Sequence, residues 1–296
     1  MPPVEQVVRA DVLSVAVERH GVVGGPPVVL LHGFPYDPRA YDEVVGPLAE
    51  RGADVIVPYL RGYGPTRFVD AGTLRSGQQA ALAHDLRALI DALGLAPPVV
   101  AGYDWGGRAA CLVAMLWPDR VAGLVTVDGY NVQDIATSSQ PAPPRSERVL
   151  WYQYYLHSER GRAGLAAQRE EFARLLWSEW SPGWAFDDAT FTATAPSFQN
   201  PDFVEVVVHS YRHRFGLVAG DPAYAQTEQA IARRPAIEVP TIILDPTRDS
   251  LGAPEPIEAH RIHFTQIAGH VCVATGHNLP QEAPEAVVDA VVALRF

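Results

Sequence analysis

Short unbroken apolar runs alternate with longer stretches in which apolar residues recur at helical spacing, and this holds for the first 127 residues. The segment from about Val4 to Glu18 reads as two leading strands. Residues 27–31, 53–57, 97–101 and 121–127 read as strands, and 76–94 and 106–116 as helices. Runs such as Val28-Val29-Leu30-Leu31 leave no polar face, which suits strands covered on both sides. Strand and helix in alternation predict an α/β fold with a largely parallel sheet between helices. From Tyr130 the pattern breaks into the polar, proline-rich Ser138-Ser139-Gln140-Pro141-Ala142-Pro143-Pro144, and the next buried strand, Ile237 to Leu244, comes about a hundred residues later. The intervening chain reads as helices 146–157, 161–178, 201–214 and 221–233, too much structure for a loop and suited to a lid. An amphipathic helix from Glu282 to Leu294 closes the chain. The expected division is a core domain of residues 1–130 and 236–296 with a helical cap domain of 131–235, and no internal repeat is evident.

At 296 residues and 48% hydrophobic, the chain can bury one large core and a smaller second layer. A formal charge of −11 argues against nucleic acid or an anionic membrane surface as partner and favours a small, apolar, neutral substrate. All 23 basic residues are arginine, so Schiff-base chemistry and a P-loop lysine are excluded. Cys111 and Cys272 read as reduced core residues, which leaves neither a disulfide framework nor a cysteine metal site. No apolar run approaches ~18 residues and the start carries no basic leader, so a cytoplasmic, soluble protein is expected, monomeric or homodimeric.

The chemistry is concentrated in Gly102-Tyr103-Asp104-Trp105-Gly106, a sharp strand-to-helix turn with an acid at its apex. Small residues on either side of the apex are a steric requirement of such a nucleophile elbow. A carboxylate there gains nothing by attacking an ester or amide, because the mixed anhydride formed lies above the substrate. It can attack an electrophilic sp3 carbon, giving an alkyl ester that water then cleaves. That step needs a base and an acid downstream. His277 in Gly276-His277-Asn278 and Asp249 in the loop after strand 237–244 are the expected pair. His270, in a second Gly-His but with a strand-like Val271-Cys272-Val273 behind it, is the rival base. Asp245 and Asp128 are the rival acids. His32, at a strand end, is expected to support the following turn, and Arg61 and Asp37 to buttress loops. Glu205, His209 and His213 stand at successive turns of one helix and could not easily converge on one ion. No metal or cofactor is expected.

Four pieces stand in this order, His32-Gly33-Phe34-Pro35, Arg61-Gly62-Tyr63-Gly64, Gly102-Tyr103-Asp104-Trp105-Gly106-Gly107 and Gly276-His277, and the resemblance they carry extends over nearly the whole chain. With them the chain resembles the aspartate-nucleophile branch of the α/β-hydrolases, the epoxide hydrolases and haloalkane dehalogenases, and more closely the former. The resemblance implies an eight-stranded α/β-hydrolase core, with an oxyanion hole from the backbone N–H groups of Phe34 and Trp105. It also implies two cap tyrosines that donate protons to the epoxide oxygen. Tyr152-Gln153-Tyr154-Tyr155 is similar to the first such segment and points to Tyr152, with Tyr155 in reserve. Tyr211 would be the second. Trp105, Trp151 and Tyr155 are expected to line the pocket. The implied reaction is epoxide hydrolysis to a diol through an Asp104 ester, cleaved by water that His277 and Asp249 activate. Dehalogenation of a haloalkane or haloacid is the alternative. Phe34 lacks the side-chain donor that dehalogenating relatives carry after His-Gly, whereas Arg108 matches an arginine of those acting on fluoroacetate. A ligand-binding protein without turnover is the third reading, disfavoured by the complete triad.

Overall fold

The computed structural model describes residues 4–295; Met1–Pro3 and Phe296 lie outside the described residues. The strands are β1 Val4–Ala10, β2 Leu13–Gly21, β3 Pro27–Leu31, β4 Asp54–Pro58, β5 Arg67–Phe68, β6 Val99–Gly102, β7 Gly123–Val127, β8 Thr241–Pro246 and β9 Ile267–Val273. They form one sheet in the order β1-β2-β4-β3-β6-β7-β8-β9, with the two-residue β5 on β2. The β1–β2 hairpin is antiparallel and joins β4 antiparallel; from β4 to β9 every pairing is parallel. The fold is that of an α/β-hydrolase, its eight-stranded path extended by the short β5. β3, β4, β6 and β7 are buried at every position; their two polar members are bonded, Asp54 to Arg19 and Thr126 to the Gly129 carbonyl.

Helices α1 Asp42–Glu50, α2 Gln79–Ala92 and α3 Asp104–Leu116 belong to the first half of the chain. Between β7 and β8 run α4 Pro144–Val149, α5 Trp151–Leu156, α6 Glu159–Ala167, α7 Arg169–Trp180, α8 Asp188–Thr194, α9 Phe203–His213 and α10 Ala225–Ile231. α11 Ile257–His260, α12 Leu279–Glu282 and α13 Pro284–Arg295 complete the chain. Around the sheet α2 packs on α3 and α1 on α13. Among the described residues no helix is long and apolar enough to cross a membrane.

Three features depart from the pattern in the sequence. α1 contains Gly46 and Pro47 and escapes a periodicity reading; it persists because Val44, Val45 and Leu48 are buried. The single helices expected over 146–157 and 161–178 are each two, broken at Leu150 (ψ 14°) and Gln168 (φ −136°). A one-residue break changes the axis but leaves the apolar spacing almost intact. Cys272, expected in the core, is exposed, because β9 is the last strand of the sheet; Cys111 is buried as expected.

The inserted helices are tied to the core beside the elbow. Trp177 Nε1 donates to Pro35 O at 2.8 Å, and Thr194 and Ser197 hydroxyls donate to the Asp37 carboxylate at 3.0 and 2.6 Å. Burial pushes the Asp37 carboxyl up to about 7 against those bonds. Arg61 is fully buried and grips Asp85 through Nε and Nη2, both at 2.6 Å, and the Ser76 carbonyl at 2.5 Å.

Candidate active site

β3, β6, β8 and β9 run parallel, so the loops that leave their carboxyl ends gather on one edge of the sheet. Asp104 follows β6 directly, at φ 49° in the left-handed region, as the apex of an elbow demands. The turn closes because Gly106 lies against β3: a Cβ there would stand 2.0 Å from Leu31 O. Gly33 is required for a second reason, since a Cβ would meet the Asp104 side chain at 2.5 Å.

The loop after β8 is laid along the loop after β9 by Thr247 N to Val273 O (2.8 Å) and Arg248 N to Thr275 O (2.9 Å). This brings Asp249 to His277, with Oδ2 at 2.7 Å from Nδ1. The other face of the imidazole points to the nucleophile, with Nε2 at 3.8 Å from Asp104 Oδ2. The remaining Asp104 oxygen, Oδ1, accepts from the Phe34 N–H at 2.7 Å. Trp105 N–H, in the first turn of α3, has no intrahelical partner to compete for it.

Burial alone would raise the Asp104 carboxyl and lower the His277 imidazole. For Asp104 the nearby charge of His277, then the charge of Arg108 and the Phe34 N–H, outweigh burial and hold the carboxyl below its ordinary value. For His277 the charge of Asp249, the hydrogen bond to it and the nearby charge of Asp104 push it up to about 10. The resting pair at neutral pH is therefore carboxylate and imidazolium.

Above the elbow the walls are aromatic. Phe34 stacks on Trp105 (centroids 5.6 Å apart) and meets Tyr211 at 5.3 Å, Trp180 at 6.3 Å and Tyr152 at 6.4 Å. Tyr152 and Tyr211, from α5 and α9, cross edge to face at 5.3 Å, and both are buried. Burial pushes the Tyr152 phenol up to about 12 and Tyr211 well above 10, with the nearby Asp104 charge adding to each, so both stay protonated at neutral pH. Tyr155 and Trp151 turn elsewhere. Both pack on Phe172, the Tyr155 hydroxyl rests against Gly164, and Trp151 Nε1 donates to Glu179 at 2.8 Å. The six-residue α5 presents Tyr152 to the core and these two to α6 and α7.

Two of the rivals, Asp245 and His270, are engaged with each other. Asp245 accepts from His260 at 2.9 Å and His270 at 2.7 Å, while Asp128 is exposed at φ 63°. His32 supports its turn by facing Gly33 O through Nδ1 (3.0 Å) and accepting from Leu60 N at Nε2 (3.1 Å). Burial lowers its pKa to about 4, which keeps it neutral. Glu205 pairs with Arg162, and His209 accepts from Gly77 N at 3.1 Å, so these two are engaged separately on α9.

Other residues complete the surroundings of the triad. Trp180 lies edge-on to His277 at 4.9 Å, and its carbonyl accepts from the His277 N–H. Ser181 and Glu282 clamp the histidine loop: Ser181 donates to Glu282 at 2.8 Å, and Glu282 accepts from Gly276 N at 2.9 Å. Tyr36 stacks on Trp177 with its hydroxyl buried and unpartnered beside the charges of Asp249 and Asp104. The Ser181 contacts leave no mark in local spacing, because its partners Glu282 and Asn278 lie 101 and 97 positions away.

Residues 26–284 match the family described as the alpha/beta hydrolase fold. The chain is 31% identical over 145 residues, 49% of its own length, to epoxide hydrolase A of Mycobacterium tuberculosis. It is 34% identical over 114 residues, 37% of its length, to a haloalkane dehalogenase of Mycobacterium marinum. Those matches span 41% and 36% of the relatives' own lengths, less than half of each. A crystal structure described as a proposed epoxide hydrolase of Klebsiella pneumoniae superposes with a TM-score of 0.95 at 45% identity, covering 99% of this chain and 97% of that one.

Proposed function

The chain belongs to the α/β-hydrolase fold family, and from that premise we propose that it hydrolyses epoxides to vicinal diols through an ester on Asp104. The observation that carries the reading is the set Asp104, His277 and Asp249 beside two buried tyrosines that meet edge to face. Asp104 Oδ2 attacks an epoxide carbon while Tyr152 and Tyr211 hydrogen-bond the ring oxygen, and one of them protonates it as the C–O bond breaks. Esterification removes the Asp104 charge, one of the causes holding His277 protonated, so the imidazolium gives its proton back to the phenolate. Neutral His277, oriented by Asp249, then takes a proton from a water that attacks the ester carbonyl. The oxyanion forms where Phe34 N–H already donates, with Trp105 N–H the second donor; losing one such donor costs about 3 kcal/mol. Collapse releases the diol and restores carboxylate and imidazolium, so the cycle closes with no net proton. In this reading residues 131–235 form a cap domain over a core of 1–130 and 236–296, and the protein works without metal or cofactor.

A second reading, release of halide from a haloalkane or haloacid, is favoured by one observation. Trp105 Nε1 and Trp180 Nε1, on either side of Phe34, are buried donors without a partner. The test is a panel of an aryl epoxide, an aliphatic epoxide, a bromoalkane and fluoroacetate, scored separately for diol and halide in wild type and Asp104→Ala. Diol that vanishes with Asp104 supports the epoxide reading. Halide that vanishes with Asp104, with no diol, overturns it in favour of dehalogenation. A single turnover in 18O-water should place label in the Asp104 carboxylate before the diol.

A further inference from the structure

Asp245, the second-last residue of β8, is fully buried, and both of its hydrogen-bond partners meet the same oxygen. His260 Nε2 lies 2.9 Å and His270 Nε2 2.7 Å from Oδ2, while Oδ1 is buried with no partner. Among the described residues it is the one buried carboxylate oxygen left so, and no arginine comes within ion-pair distance of it. Asp37 and Asp54, comparably deep, have both oxygens bonded. The three residues come from three elements. β9 pairs with β8 so that Cys272 lies opposite Asp245, which puts His270, two positions earlier, on the same side. His260 ends α11, and its ring rests against Gly129, where a Cβ would stand 2.4 Å from Cε1. The two imidazoles cross at 68° with centroids 5.2 Å apart, and one ligand atom from each of the three residues lies within 4.8 Å of the other two.

A buried carboxylate oxygen without a donor is costly, and two imidazoles converging on the other oxygen do not relieve it. A cation among the three ligand atoms does, because it compensates the charge and can be shared by both carboxylate oxygens. We propose that Asp245, His260 and His270 bind one divalent cation of the zinc type, with water as the fourth ligand. Two imidazoles and a carboxylate suit zinc and disfavour magnesium and calcium, which take oxygen ligands. Bonds of about 2.0–2.2 Å in a tetrahedron set ligand atoms about 3.3 Å apart, so Oδ2 must draw back from each nitrogen by only about 0.5 Å. The His270 side chain is 18% exposed, which gives the ion a way in and its water a place. The proposed reaction calls on none of these three residues, so the role is structural. The ion ties α11 and the last strand of the sheet to β8, four residues before Asp249. This corrects the expectation of no metal. The Glu205, His209 and His213 series is close in sequence, whereas these histidines stand 15 and 25 positions from Asp245 and meet it only in the fold.

The test is calorimetric titration of the untagged full chain, stripped with a chelator and dialysed, with Zn2+ at neutral pH. Wild type should take up one equivalent with a Kd of about 1 µM or tighter, and His270→Gln should weaken that binding by about 100-fold or more. Mg2+ in place of Zn2+ should give no such uptake. The competing pair is His209 and His213 on α9, whose rings stack at 5.7 Å. Binding that survives His270→Gln and is lost in His213→Gln puts the ion there and overturns the proposal, as does a wild type with no stoichiometric site. Stability gives a second readout. Zn2+ at about 100 times its Kd should raise the Tm of wild type by about 5 °C and leave that of His270→Gln unmoved; an equal rise in both counts against the site. Co2+ should show the visible d–d bands of tetrahedral coordination in wild type and lose them in His270→Gln. Should His270→Gln fail to fold, Asp245→Asn must weaken Zn2+ binding by about tenfold or more, and unchanged affinity in that variant overturns the proposal.

Discussion

His277 is held between two carboxylates and must change its proton affinity during the reaction. In the free protein both Asp249 and Asp104 raise it; in the ester only Asp249 remains charged. His277→Gln should therefore still be alkylated but should not release product. Mixing it with an epoxide is expected to give one equivalent of adduct, a mass increase equal to the substrate on the peptide holding Asp104, with kcat lowered at least 10³-fold. Repeated turnover by this variant would remove His277 from the second step. The phenols act in the first step. Tyr152→Phe and Tyr211→Phe should each slow ester formation by about 10²-fold, the usual scale of one general acid, and the double variant more than either. If the second reading holds instead, halide release should survive both changes, because a departing halide needs no proton.

The elbow at β6–α3 is a packing solution before it is a catalytic one. Its sharpness comes from Gly102 and Gly106 passing each other and β3 at distances that admit no side chain: a Cβ at Gly102 would lie 2.5 Å from the Gly106 carbonyl carbon. Gly106→Ala must move α3 away from β3, which carries the oxyanion loop, so stability and chemistry should fall together. We expect a loss of about 1–3 kcal/mol in urea unfolding, as for other overpacked sites, and a loss of activity larger than the unfolded fraction explains. The inserted helices are a looser assembly of short pieces, but α7 is pinned. Trp177, Trp180 and Ser181, at its end, contact the loop after β3, the His277 ring and the histidine loop respectively.

Across the whole molecule the pH dependence of stability carries the signature of the site. The His277 pKa is raised from an ordinary 6.5 to about 10 on folding, so the folded state binds its proton more tightly than the unfolded chain. This contribution is fully present below pH 6.5 and is lost as pH rises through about 10. The Tm difference between wild type and His277→Gln should shift in that direction between pH 6 and pH 10, wild type losing ground as the pH rises. A difference that stays flat, or moves the other way, would mean the imidazole is not protonated in the resting protein.

Much of this was legible in the sequence. Apolar runs separated by helical periods dictate a covered parallel sheet, because strands buried on both faces carry few polar positions, each needing a bonded partner such as Arg19 for Asp54. The Gly-x-Asp-x-Gly turn was recognisable because its glycines answer a local steric demand, and local demands leave marks at fixed spacing. The choice of Asp249 over Asp245 and Asp128 belonged to the tertiary structure. Asp249 and Asp128 follow strands and Asp245 lies near the end of one, and only the closed structure brings Asp245 to His260 of α11 and His270 of β9 while Asp249 meets His277. So too with Tyr152 and Tyr155, three positions apart, of which one faces Phe34 and the other Gly164. That Arg108 Nε and Nη1 are buried without a hydrogen-bond partner could not be read from its spacing, since being unpaired is a property of everything around a side chain. Sequence fixes what repeats at short range; which groups meet, and which are left without a partner, is decided when distant strands and helices close over one another.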